Sequence, residues 1–239
     1  MHLETSLALM AGLSQASDAA DLHRRVEKSV QAIGCEHFLI AMEVRLPAGP
    51  GLQHVDSGYP EAWQRRYQEK QFIRVDPTLG YCLTSTAPVI WSPSLYSEMS
   101  HELMEESSSH GLGNGMSVGV HASESVKSMF SMARDKPFHD DREAALVKAA
   151  GQLIANAVHV KTAELVIPGL FSAIAPPLTE REYACLQLAA LGKGSGVISD
   201  LLNIAEPTVN YHLNKVMKKL GVATRVQAVA MAVHLRILR

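Results

Sequence analysis

The chain has 239 residues, with 22 Lys and Arg against 24 Asp and Glu, and 47% of its residues are apolar but only 5% aromatic. That length suits two domains that each bury a core, and the ordinary apolar content with sparse aromatics predicts a soluble globular protein. Charge is uneven: residues 176–239 carry eight basic against four acidic residues, net +4, while the remainder is net −6, the pattern of a small phosphate-binding module attached to a larger acidic one.

No run of about 18 apolar residues is present, so no membrane span or membrane partner is expected. The start, MHLETSLALMAGL, lacks a basic segment followed by a cleavable apolar stretch, which predicts no secretion signal and a cytoplasmic location. Cys35, Cys82 and Cys185 are odd in number and form no CxxC, as in a reducing compartment without structural zinc. Neither metal nor cofactor is expected.

In chain order, residues 2–33 predict two helices. Asp18 or Asp21 caps the second, and Leu22, Val26, Val30 and Ile33 recur on it at helical spacing. Residues 37–46 read as a strand, 47–51 as a turn and 52–57 as a weaker strand. Pro60 opens a helix that puts Trp63 and Tyr67 on one face, with Tyr59 extending the line. Pro77 drives Asp76 toward an extended conformation, so the chain leaves that helix. Strands are predicted at 88–91, 116–122 and 126–134, and helices at 96–110, ended by Gly111, and at about 139–166. Strands enclosed by helices at both ends make an α/β layered domain. Residues 167–177, IPGLFSAIAPP, read as a linker between a domain at 1–166 and another at 178–239.

The second domain reads as all-α. Thr179 and Glu182 form a capping box, Leu186, Leu188 and Ala189 supply apolar positions, and Gly192 ends the first helix. A second helix runs from about Ser195 to Asn203, with Ile198, Leu201 and Leu202 facing inward. Glu206-Pro207 opens a third. Two helices joined by a tight turn, the second with polar residues in front and Lys behind, describe a helix-turn-helix. On the third helix Asn210, Tyr211 and Asn214 are candidates for reading bases, Asn being suited to bidentate contact with adenine. Lys215, Lys218 and Lys219, with Thr208 and Lys193, are candidate phosphate ligands, while Val209, Leu213, Val216 and Leu220 read as core. His212 reads as a histidine holding helices together, or as part of the exposed front. A last helix, 225–238, carries Val226, Ala230 and Val233 on one face and is a candidate dimer contact. A small helical interaction domain with a merely solvated Lys face is the alternative.

In the first domain Tyr59, Trp63, Tyr67, Trp91 and Asp76 concentrate aromatic surface and one carboxylate in a short span, as a small-molecule pocket does. The same residues also read as core aromatics with Asp76 capping the Pro77-Thr78 turn. Residues 115–119, GMSVG, match G-x-S-x-G, but a nucleophile elbow needs a strand before the Ser and a helix after it, and here the strand-like residues follow. An esterase or lactonase using Ser117 is therefore an alternative only, and no enzyme is expected. A receiver domain is disfavoured too, since regular alternation of strands and helices is missing.

LTEREYACL, LGKG and EPTVNYHLNKVMKKLGVATRVQAVAMA resemble the DNA-binding domain of the LuxR family, with Ala184 and Gly196-Val197 departing from its pattern. GYPEAWQRRYQEKQFIRVDPTLGYC, PVIW and SLY, followed by Gly115, resemble the autoinducer-binding domain of that family over roughly residues 15–160. The resemblance implies an α-β-α sandwich ahead of an all-α helix-turn-helix domain, and a closed pocket for an N-acyl-homoserine lactone. In it Trp63 would donate to the lactone carbonyl, Asp76 would accept from the ligand amide, and Tyr59 and Ser131 would hold the amide carbonyl. Tyr67 and Trp91 would form walls, and Thr78, Tyr96, Leu103 and Leu112 would face the acyl chain. Gln64 stands where some relatives carry an Arg, and HASESVKSMFSM replaces a glycine-containing turn. A homodimer on a palindromic double-stranded DNA operator, with RNA polymerase as a further partner, is the implied mode of action. An orphan regulator that represses or heterodimerises is the alternative.

Overall fold

A computed structural model describes residues 11–47, 50–174, 177–235 and 237–238, apart from the side chain of Ile174. The first predicted helix lies mostly outside these residues. Contacts divide the chain into two compact units, Met1–Val44 with Gln53–Val166, and Arg45–Leu52 with Ile167–Arg239.

The first unit is built on an antiparallel sheet. Helix α1 (Ala19–Ala32) starts at Asp18, whose carboxylate accepts from the Asp21 amide, and it buries Leu22, Val26 and Val30. Strands β1 (His37–Val44), β2 (Leu52–Ser57), β3 (Val89–Ile90), β4 (Asn114–His121) and β5 (Val126–Arg134) follow in the order β2-β1-β5-β4-β3. Register sets Leu39 opposite Ser131, Ala41 opposite Met129, and Ser117 opposite Ser131. Because side chains alternate along a strand, Phe38, Ile40, Met116, Val118, Phe130 and Met132 point to the other face. There they pack with Leu22, Val26 and Val30 of α1 and with Val147, Ile154 and Val158 of α5 (Asp141–Ile174).

The second face carries α2 (Glu61–Glu69), α3 (Pro77–Thr84) and α4 (His101–Ser109). Helix α3 was not expected: the Asp76-Pro77 pair reads as a break, yet it is also a start signal. Asp76 stays extended (φ −69°, ψ 109°) and caps the new helix, with Pro77 in its first turn. The predicted helix over 96–110 shortens to α4, because Ser97 and Ser100 close a capping box on a 3-10 turn just before it. Helices on both faces of the sheet make the α-β-α sandwich that was expected.

The region read as a linker is helical as far as Ile174, since α5 continues through Pro168. An interior proline removes one backbone donor and crowds the preceding turn, yet the helix runs on through it to Ile174. By length and composition α5 is also long and apolar enough to cross a membrane. Buried Val147, Ile154, Ala155 and Val158 identify it as the core helix of the sandwich.

In the second unit, α6 (Glu180–Ala190), α7 (Ser195–Leu202), α8 (Glu206–Lys219) and α9 (Arg225–His234) follow. Thr179 and Glu182 form the capping box, Gly192 turns the chain at φ +75°, and Asn203 ends α7 in the left-handed region. Cys185, Ile198, Val209 and Leu213 form one cluster, and Leu186, Val216, Leu220, Ala228 and Met231 belong to another. Leu201 does not face inward: it is 58% exposed, because Ile198 and Leu202, four residues apart, take the inner side of this short helix.

Candidate ligand pocket and nucleic-acid face

Between the sheet and α2, α3 and α4 lies a cavity of about 540 Å³. Tyr59, Trp63, Tyr67, Asp76, Thr78, Trp91, Tyr96, Leu112 and Ser131 all line it. Three structural reasons bring them together. The helical repeat of α2 puts Trp63 and Tyr67 one turn apart with their rings at 5.8 Å. The cap at Asp76 turns its carboxylate toward Tyr67. Strand alternation turns Ser117 and Ser131 to the cavity side of the sheet.

Asp76 is both cap and pocket wall. Its Oδ1 accepts from the Thr78 amide at 2.8 Å and the Thr78 hydroxyl at 2.7 Å, while Oδ2 accepts from the Tyr67 hydroxyl at 2.9 Å. The two readings open from sequence are thus compatible. Burial first, and then the Asp76 charge, pushes the Tyr67 and Tyr96 phenols far above their ordinary range, and burial does the same at Tyr59. All three therefore remain O–H donors.

A second network lines the sheet side. Trp91 Nε1–H donates to Ser117 Oγ at 2.8 Å, and the Ser117 and Ser131 hydroxyls share a bond at 2.8 Å, with Ser131 and Tyr59 lining the same cavity. Trp91 can lie against β4 only because residue 115 is glycine; a Cβ there would sit 2.9 Å from the indole and 2.4 Å from the Met132 carbonyl. Ser117 is accordingly fully buried in the middle of a strand. The strand-turn-helix context of a nucleophile elbow is absent there.

Several pocket residues escaped the sequence reading, among them Leu39, Ala41, Val55, Leu79 and Met129. Ordinary apolar strand and helix residues carry no local mark of a ligand site. Strand alternation was the one usable signal: Leu39 and Ala41 face away from buried Phe38 and Ile40.

On the second unit, Tyr211, Asn214, Lys215 and Lys218 are exposed along α8, with Lys193 exposed before α7. Lys215 Nζ stands 4.7 Å over the Tyr211 ring. Lys219 is different. Its ammonium donates to buried Glu182 at 2.6 Å and to the Pro177 carbonyl at 2.8 Å, so it ties α8 to the start of α6 rather than reaching outward. Burial raises the Glu182 pKa, but the Lys219 and Thr179 hydrogen bonds outweigh it and hold the carboxyl below its ordinary range. Asn210 is also committed: its Oδ1 accepts from Arg225 Nη2 at 2.6 Å and from Ser195 Oγ at 2.7 Å. Arg225 itself was not picked out from sequence.

Comparison with known proteins agrees with both halves. Residues 18–162 match the model of the autoinducer binding domain, and residues 176–232 match that of bacterial regulatory proteins, luxR family. The chain is 29% identical over 219 residues to the transcriptional activator protein AnoR of Acinetobacter nosocomialis, covering 91% of this chain and 92% of that one. It is 30% identical over 218 residues to the quorum-sensing regulator RhlR of Pseudomonas aeruginosa, covering 91% and 90%. Among solved structures, SdiA in complex with octanoyl-rac-glycerol shares the fold with a TM-score of 0.71 at 22% identity, covering 97% of this chain and 94% of that one. The chain belongs to the LuxR family, as a quorum-sensing transcriptional regulator with an autoinducer-binding domain followed by a helix-turn-helix DNA-binding domain.

Proposed function

We propose that the autoinducer is an N-acyl-homoserine lactone, and that its burial lets the protein act as a homodimer on a near-palindromic operator. The observation that carries this reading is one cavity lined by an indole, a carboxylate and phenols together with apolar side chains such as Leu39, Leu103, Leu112 and Met129. In this reading Trp63 donates to the lactone carbonyl and Asp76 accepts from the ligand amide through the oxygen it shares with Tyr67. Tyr59 and Ser131 hold the amide carbonyl. Tyr67 and Trp91 are walls, while Thr78, Tyr96, Leu103 and Leu112 meet the acyl chain. Each role uses a donor or acceptor that the side chain owns. Burying the ligand stabilises the folded chain by mass action, by about 4 kcal/mol at a thousandfold excess over its Kd.

Two copies of α8 would enter successive major grooves about one helical turn apart. Asn210, Tyr211 and Asn214 face the bases in this reading, and Lys193, Thr208, Lys215 and Lys218 bind phosphates, Lys219 being retained as an internal tie. Val226, Ala230 and Val233 lie exposed on α9 and supply a contact between copies. Several relatives are named activators, which supports activation with RNA polymerase as partner in the cytoplasm. The test is soluble expression with and without N-butanoyl-, N-octanoyl- and N-dodecanoyl-homoserine lactone, followed by mass spectrometry of what co-purifies. Equal solubility without lactone, and no lactone retained, would overturn the ligand assignment.

A further inference from the structure

We infer that Arg225, outside the helix-turn-helix proper, sets which base Asn210 accepts. The inference rests on the DNA-binding domain and on the proposed role of α8 as its reading helix. Arg225 opens α9, Ser195 opens α7 and Asn210 lies in the first half of α8, so three helices meet at one point. Arg225 Nη1 donates to Ser195 Oγ at 2.8 Å, Ser195 Oγ donates to Asn210 Oδ1 at 2.7 Å, and Arg225 Nη2 donates to the same Oδ1 at 2.6 Å. The direction of every bond is forced. A guanidinium has donors only, so the Asn210 atom facing it is the oxygen, and the Ser195 hydroxyl that accepts from Arg225 passes its own proton on to that oxygen.

The ring occupies both lone pairs of the Asn210 oxygen and leaves its NH2 group free. Bidentate pairing with adenine needs the oxygen to accept from N6 while the nitrogen donates to N7. Held this way, Asn210 offers donors alone, which fit the O6 and N7 of guanine or the O4 of thymine. Arg225 is thus a positioning residue that turns an adenine-reading side chain into one that reads acceptors. The charge-assisted bond keeps it there more firmly than a neutral bond would.

The test is selection of duplexes from a random-sequence pool by the full-length chain purified with N-octanoyl-homoserine lactone. Wild type is compared with Arg225→Ala and Asn210→Asp, and the melting temperature of each is measured. The wild type should enrich guanine or thymine at one pair in each half-site. Arg225→Ala should lower that preference about tenfold, toward adenine at the same pair and nowhere else. Asn210→Asp keeps an acceptor for Arg225 but loses the donor, so it should abolish the preference even if Arg225→Ala fails to fold. Uniform weakening across all sequences in Arg225→Ala, or an unchanged profile in both variants, overturns the assignment while leaving the DNA-binding domain intact. A wild-type chain that enriches no sequence overturns the reading helix and this assignment together.

Discussion

Tyr67 donates its phenolic proton to Asp76 across 2.9 Å, and this bond joins the last turn of α2 to the residue that caps α3. The same carboxylate is held on its other oxygen by Thr78. Its position is therefore fixed from two sides before any ligand arrives, which limits the ordering cost of binding.

Asp76→Asn keeps an oxygen able to cap α3 but removes the charge that the ligand amide meets. We expect sensitivity to the effective acyl-homoserine lactone to fall by roughly 10- to 150-fold, equivalent to about 1.5–3 kcal/mol for a charge-assisted bond. Trp63→Phe should shift the dose-response in the same direction with smaller loss of fold stability. A reporter dose-response unchanged in both variants would remove these residues from the site.

Lys218 and Lys219 are adjacent but should behave differently. Lys218 is exposed, so Lys218→Ala should reduce the salt slope of DNA binding by about 1 and leave stability unchanged. Lys219→Ala leaves the Glu182 carboxylate buried without its cation, at a cost of about 3 kcal/mol. Denaturant unfolding and salt-dependent binding, measured on both variants, separate the two roles. Equal behaviour would contradict the tie.

His159 gives a pH dependence. It is 4% exposed, with Nδ1 at 2.6 Å from Ser128 Oγ, and burial, with His121 as the smaller cause, lowers its pKa below the ordinary 6.5. Below about pH 6.5 the unfolded chain takes up a proton that the folded one refuses, so stability falls as pH drops toward the folded-state value. His159→Gln should flatten the urea-midpoint curve in that window. Matching curves for variant and wild type would show that other groups govern the acid side.

The thiols should be inert in the native protein. Burial pushes Cys35 up to about 11 and Cys82 up to about 12, and it raises Cys185 as well. Little thiolate exists at pH 8, so a disulfide reagent should label none of the three in the folded chain and all three in denaturant. Rapid native labelling at one position would reveal local opening there.

Local chemistry made much of this protein legible from its residues. The Thr179–Glu182 box, Gly192, Asn203 and Pro207 bound their helices because each signal acts within a few residues of chain. The aromatic-acidic span from Tyr59 to Trp91 was legible for a related reason, since α2 spaces Trp63 and Tyr67 by one turn. Where one local signal had two meanings, as at Asp76-Pro77 and Pro168, the sequence left a helix hidden or cut one short.

What the chain of residues determined by itself was most of the helix and strand segments, the apolar face of the longer ones, and which side chains own a donor or an acceptor. These follow from backbone sterics and hydrogen-bonding capacity over a turn or two. Only the tertiary structure decided that Lys219 turns inward to Glu182, that Leu39 and Met129 share a cavity with Trp63, and that Arg225 closes on Asn210. Those relations join residues far apart in sequence, and a side chain takes the partner that packing brings within about 3 Å, which no local pattern encodes.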